Sequence, residues 1–79
     1  MKIAVQLFGP LAEEAGRSKL ELTVTGTTVQ DVLAALAAAA PALRIDRSVR
    51  CAVNTDYAEA SAAVREGDIV SLIPPVGGG

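Results

Sequence analysis

The sequence predicts one α+β domain in which a single long helix lies across a mixed sheet. Three observations carry this. Short segments near both ends alternate apolar and polar residues at the period of half-buried strands. One central stretch repeats its apolar residues at helical spacing. A chain of 79 residues has room for one core, burying about 60% of the surface that its unfolded form exposes.

Taken in order, KIAVQLF sets Ile3, Val5 and Leu7 on one side and Lys2, Ala4, Gln6 and Phe8 on the other, a first strand. After Gly9-Pro10, LAEEAG predicts a short helical turn: Pro10 suits the first helical position, Gly16 the left-handed closing position, and Glu13 and Glu14 face solvent. KLELTVT alternates again, with Leu20, Leu22 and Val24 inward and Glu21, Thr23 and Thr25 outward, giving an antiparallel partner for the first strand. Gly26 breaks it. Thr27-Thr28-Val29-Gln30 reads as a capping box in which the Thr27 hydroxyl accepts from an orphan amide and Gln30 reaches back. Val29, Val32, Leu33, Leu36, Ala37 and Ala40 then form one stripe, until Pro41 stops the helix.

The charged stretch ALRIDRSVR predicts a connection, CAVN a short strand, and Asn54-Thr55-Asp56 a turn beyond which Tyr57 and Ala58 pair. Ser61 to Glu66 predicts one more helical turn, closed by Gly67. Gly67-Asp68 leads into the last strand, IVSLI.

Composition narrows the function. Apolar residues make up 51% and charged residues 20%, on the globular side of the boundary with disorder. Seven basic against nine acidic residues give a net charge of −2, and Phe8 and Tyr57 are the only aromatics, which excludes both the basic footprint and the stacking platform of a nucleic-acid binder. No apolar run approaches the roughly 20 residues that span a bilayer, so no membrane partner is expected. Histidine is absent, removing the residue most used for general acid-base work and transition-metal binding. One cysteine forms no internal bridge, and Met1 to Pro10 lacks a secretory pattern, so a cytoplasmic setting is expected.

The chemistry is expected in PPVGGG. The chain divides into a body, residues 1–75, and a glycine tail, residues 76–79. Pro74 and Pro75 cannot donate to a ladder and favour an extended form, so they end the strand and direct the tail away from the body. Gly77, Gly78 and Gly79 supply a thread without side chains, and five residues beyond Pro74 span at most about 17 Å, enough to enter a neighbouring active-site channel. The useful group is the Gly79 carboxylate. Activated by a nucleotide triphosphate, it becomes an acyl-adenylate that a sulfur nucleophile attacks. A Cβ at Gly78 or Gly79 would thicken the thread and restrict its dihedrals. The plainer alternative is a frayed terminus or an added glycine scar.

The order of elements, the segment AVN, the stretch REGDIVSLIPPV and the terminal glycines together resemble the small subunit of molybdopterin synthase, over essentially the whole chain. That resemblance implies the ubiquitin-like β-grasp fold and a non-catalytic sulfur carrier with no catalytic residues of its own and no permanently bound cofactor. It implies that an ATP-dependent activating enzyme adenylates Gly79, that sulfur converts it to a thiocarboxylate, and that the large catalytic subunit delivers the sulfur to cyclic pyranopterin monophosphate within a heterotetramer. Gly77 stands where the family usually has a hydroxyl residue, and LAEEAG lacks the arginine often found after the first strand. Sulfur carriage for thiamine or another product, or a ubiquitin-like interaction module with an inert tail, are the alternatives.

Partner docking is assigned to Phe8, Ile73, Pro74, Pro75 and Val76. Val70 and Leu72 inward place Ser71 and Ile73 outward, so Ile73 joins Phe8 on an exposed sheet face. Cys51 reads as a buried structural thiol, Glu59, Glu66 and Asp68 as solvated loop carboxylates, and Arg44, Arg47 and Arg50 as a basic edge or simply a solvated face.

Overall fold

The computed structural model describes residues 1–46 and 48–75. Strand β1 (Lys2–Leu7) is followed by helix α1 (Pro10–Ala15), β2 (Lys19–Thr23), helix α2 (Val29–Ala39), β3 (Arg50–Val53), β4 (Asp56–Ala58) and β5 (Ile69–Ile73). The five strands form one sheet in the order β2-β1-β5-β3-β4. Strand β1 runs antiparallel to β2 and parallel to β5, and β3 runs antiparallel to both β4 and β5. This is the mixed sheet with a helix across it that the alternation predicted, a β-grasp.

Burial follows the alternation. Ile3, Val5 and Leu7 of β1, Leu22 of β2, and Val70 and Leu72 of β5 pack against Val29, Val32 and Leu36 of α2, with Leu11, Leu43 and Val64 closing the sides. The pairing sets Val5 beside Val70 and Leu7 beside Leu72, so the apolar sets of neighbouring strands share one face. Helix α1 starts at Pro10 and closes on Gly16 as expected.

Five local expectations are corrected. The capping box is shifted by one residue: Thr28 is the N-cap and Asp31, not Gln30, is its partner. Asp31 Oδ2 accepts from the backbone N–H of Thr27 (2.9 Å) and Thr28 (3.1 Å) and from the Thr28 hydroxyl (2.9 Å), while Thr28 Oγ1 accepts from the Asp31 N–H (3.3 Å). The short Asp31 carboxylate turns back on its own turn and outcompetes the longer Gln30 amide. Gly26, at φ 119°, makes this possible, because a Cβ there would overlap the Asp31 carboxyl group. Next, Ala37 is exposed, since the buried stripe follows Val29, Val32 and Leu36 and rotates away from the sheet.

Ser61 to Glu66 forms no helical turn. The chain crosses the start of α2 instead, where Ala60 and Ala62 carbonyls accept from the N–H groups of Gln30 (2.9 Å) and Val29 (3.0 Å), and Ala63 bridges Thr28. The orphan amides of the long helix claim those carbonyls, which a helical turn would have used itself. Strand β3 begins one residue early, at Arg50, and Asn54 belongs to the turn at φ 57°, a conformation that asparagine tolerates. Last, Ser71 faces outward yet is only 8% exposed, covered in the middle of the sheet between Gln6 and Ala52.

The cap supports two expected results. Thr28→Ala should cost about 1 kcal/mol, a fall of roughly 5 °C in Tm by differential scanning calorimetry. The Thr28 hydroxyl, followed by the Thr28 and Thr27 amides, holds the Asp31 carboxyl below its ordinary value. A depressed carboxylate stabilises the fold fully above its unfolded value and loses that contribution as pH falls through the folded one. Below about pH 4, Asp31→Asn should therefore lose less stability per pH step than the parent chain, measured by urea unfolding at several pH values.

Candidate functional site

The strand that leads to the tail occupies the centre of the sheet. Strand β5 lies between β1 and β3 and is paired on both sides, and Pro74 and Pro75 follow Ile73 where that pairing ends. Gly9, at φ 55°, bends the chain beside this exit, and a Cβ on it would stand 3.6 Å from Pro74 Cγ. The sheet and the β1–α1 turn thus fix where Pro74 emerges. Val76, Gly77, Gly78 and Gly79 lie outside the described residues, as does Arg47.

Around this exit the predicted docking residues come together. Register places Leu7 beside Leu72, so Phe8 and Ile73, each one residue further, stand at the same level at the tail end of the sheet. Phe8 is 46% exposed, Ile73 half-buried and Pro75 exposed. Arg50 pairs with Ile73 across the β3–β5 ladder and adds a cation to that level.

Two further apolar side chains on the same open face escaped the sequence reading. Ile69 pairs with Ala4 and is 39% exposed; Tyr57 pairs with Ala52 and is 72% exposed. With Phe8 they are the large exposed apolar residues among the described ones. Ile69 was within reach, because the alternation that put Ser71 and Ile73 outward puts Ile69 there too. Tyr57 was not, since its side depends on the β3–β4 register. Between these rims the face carries Ala4, Gln6, Ala52 and Ser71, with Ser71 Oγ donating to Gln6 Oε1 at 3.4 Å.

The other candidates hold structural positions. Cys51 is half-buried on the helix side of β3, and burial raises its thiol above the ordinary value, which keeps it protonated and unreactive. Glu66 Oε1 accepts from the Lys2 N–H at 2.8 Å. Asp68 accepts from the Arg65 N–H and from Asn54 Nδ2, fastening the turn before β5. Glu59 is exposed, as are Arg44 and Arg50. Among the described residues no cluster of His, Cys, Asp or Glu could hold a metal ion, and no helix is long and apolar enough to cross a membrane.

Comparison with known proteins gives this arrangement a lineage. The molybdopterin synthase sulfur carrier subunit of Arabidopsis thaliana is 37% identical over 81 residues, covering 100% of this chain and 84% of that protein. The crystal structure of SAMP1, a small archaeal modifier protein from Haloferax volcanii, superposes with a TM-score of 0.89 at 32% identity, each chain covered completely. Subunit 1 of the molybdopterin-converting factor of Helicobacter pylori, solved in complex with subunit 2, shares the fold at a TM-score of 0.71 and 22% identity, again over 100% of both chains. The ThiS family pattern matches residues 5–79. With a β-grasp body, a central last strand and this match over nearly its full length, the chain belongs to the ThiS family of ubiquitin-like sulfur carriers.

Proposed function

We propose that the chain is the sulfur-carrier subunit of a molybdopterin synthase. The observation that carries this reading is the 37% identity, over the whole chain, to a molybdopterin synthase sulfur carrier subunit. The launch of Pro74 and Pro75 from the middle of the sheet supports it, because a carboxylate that must reach another protein's active site needs a rigid base.

The chemistry proposed for Gly79 uses two steps that the partners catalyse. Its carboxylate oxygen attacks the α-phosphorus of ATP, breaking the bond to the β-phosphate and releasing pyrophosphate, which leaves an acyl-adenylate. A sulfide-level sulfur nucleophile then attacks the acyl carbon and breaks its bond to the phosphate oxygen, so AMP leaves and a thiocarboxylate remains. This chain contributes a nucleophile that carries no side chain to clash in the partner's channel. Gly78 and Gly77 thread the channel, while the large synthase subunit binds the cyclic pyranopterin monophosphate, which accepts the sulfur. Intact mass after incubation with ATP, a sulfur donor and the activating enzyme should rise by about 16 Da, the exchange of oxygen for sulfur. An unchanged mass would favour an interaction module with an inert tail. Carriage for thiamine is separated by product: sulfur should pass to the pterin and not to a thiazole precursor.

Docking is assigned to the tail end of the open face, through Phe8, Ile73, Pro74, Pro75 and Val76. The apolar surface of Phe8, Ile73 and Pro75 borders the exit, so a partner that covers it also lines up its channel with the tail. Phe8→Asp or Ile73→Asp should weaken capture of the large subunit at least about tenfold in a surface-binding assay. Full binding by both variants would remove this face from the proposal.

A further inference from the structure

Strand β2 forms one edge of the sheet, and its free side has an unusual complementarity to itself. At one end of the β1–β2 ladder, Met1 and Val24 exchange two backbone bonds, of 2.8 and 2.7 Å. At the other end the Leu7 N–H donates to the Ser18 carbonyl at 2.8 Å. Antiparallel ladders alternate bonded and non-bonded pairs, so Ile3–Leu22 and Val5–Leu20 are the bonded pairs between these ends. The N–H and C=O groups of Lys19, Glu21 and Thr23 therefore point away from β1. None of them has a backbone or side-chain partner among the described residues. Their side chains are exposed on the open face, while Leu20 is left half-buried on the helix side.

We propose that two copies of this chain pair antiparallel through β2, in the register that sets Lys19 of each copy against Glu21 of the other, with Leu20 on the two-fold axis. Outward-pointing backbone groups leave few registers to choose from. Setting Glu21 against Glu21 opposes like charges, and sliding further sets Glu21 against Thr23 and leaves Lys19 facing Thr25. Sliding the other way sets Glu21 against Arg17 but puts Lys19 against Lys19 on the axis, so the Lys19–Glu21 register is the one that opposes unlike charges with no like-charged pair, and symmetry supplies that pair twice. Each such pair exchanges both backbone bonds, and Leu20 covers its symmetry mate where the edge leaves it half exposed. Arg17 lies diagonal to Glu21 of the second copy and adds to the attraction.

The dimer joins two five-stranded sheets into one and leaves β5 of each copy two strands from the axis, so both tails remain available. Such a short interface forms a weak, rapidly exchanging dimer, with a Kd on the order of 100 µM. Sedimentation equilibrium on the full chain between about 20 µM and 2 mM should show mass rising towards the dimer, and rising less in high salt. Lys19→Glu and Glu21→Lys, each confirmed as folded by circular dichroism, should each weaken association about tenfold or more. An equimolar mixture of the two should associate again within about threefold of the parent, because every reversed charge then meets its opposite. Glu21→Pro removes an N–H that β1 does not use and should abolish pairing. A parent chain that stays monomeric at 2 mM overturns the proposal, as do single reversals that change nothing or a mixture that fails to associate.

Discussion

Deleting Gly79 should abolish sulfur loading, with no gain of about 16 Da on incubation with ATP, sulfur donor and activating enzyme, and the folded body unchanged. The deletion leaves a carboxylate, now on Gly78, so the chemical group survives and only its position changes. One residue of extended chain spans about 3.5 Å. Reacting groups must approach within about 3–3.5 Å in aligned geometry, and a misplacement of 1 Å alone costs about a hundredfold. The base of the thread moves little to compensate, because Pro74 follows a strand paired on both sides and sits beside the Gly9 bend. Circular dichroism and thermal unfolding should be indistinguishable from the parent, since the buried core of the described residues ends at Leu72. Loading of the shortened chain at the parent rate would contradict the positional requirement, and with it the carrier reading of the tail.

Leu36→Ala should be the most damaging substitution in the body, costing about 3 kcal/mol. Leu36 is fully buried in the middle of the α2 stripe, where it packs with Val29 and Val32 over β1 and β5. Truncation removes the transfer energy of the side chain and leaves a cavity that the rigid sheet beneath collapses into only partly. A domain of this size holds roughly 4–12 kcal/mol in total, so the variant keeps between a quarter and three quarters of the parent stability. Urea unfolding monitored by circular dichroism should show a lower midpoint at an unchanged slope. A loss below about 1 kcal/mol would mean that α2 is not the cover the core depends on. The contrast with the Gly79 deletion matters for function: one variant fails in stability with its tail intact, the other fails in loading with its body intact.

The apolar residues of the open face have a similar separation of roles. Phe8 and Ile73 stand at the tail end, while Lys19 and Glu21 stand at the β2 edge. Charge reversal at the edge should leave sulfur loading intact, and aspartate at Phe8 or Ile73 should leave self-association intact. Variants at the two places therefore read out different surfaces of one small body.

Much of this molecule was legible in the residue pattern, because the patterns concerned are local. Ile3, Val5 and Leu7, then Leu20, Leu22 and Val24, and last Val70 and Leu72 declare their buried side through a period of two that needs no knowledge of neighbours. Val29, Val32 and Leu36 do the same at helical spacing, and Pro10, Gly16 and Pro41 mark ends through their own backbone constraints. The end of β5 was legible for the same reason, because Pro74-Pro75 after an apolar run is a property of consecutive residues.

Tertiary structure alone decided which partner each backbone group takes. Ser61 to Glu66 has an acceptable local helical pattern, yet the unsatisfied amides at the start of α2 bind the Ala60 and Ala62 carbonyls and hold that segment across the helix end. Thr28 and Asp31 displaced Thr27 and Gln30 because the turn at Gly26 brings the shorter carboxylate over three donors at once. The placement of Tyr57 on the open face, the central position of β5 and the free edge of β2 all depend on strand order and register. Those are set by long-range hydrogen bonds between segments far apart in the chain, and no local pattern of side chains encodes them.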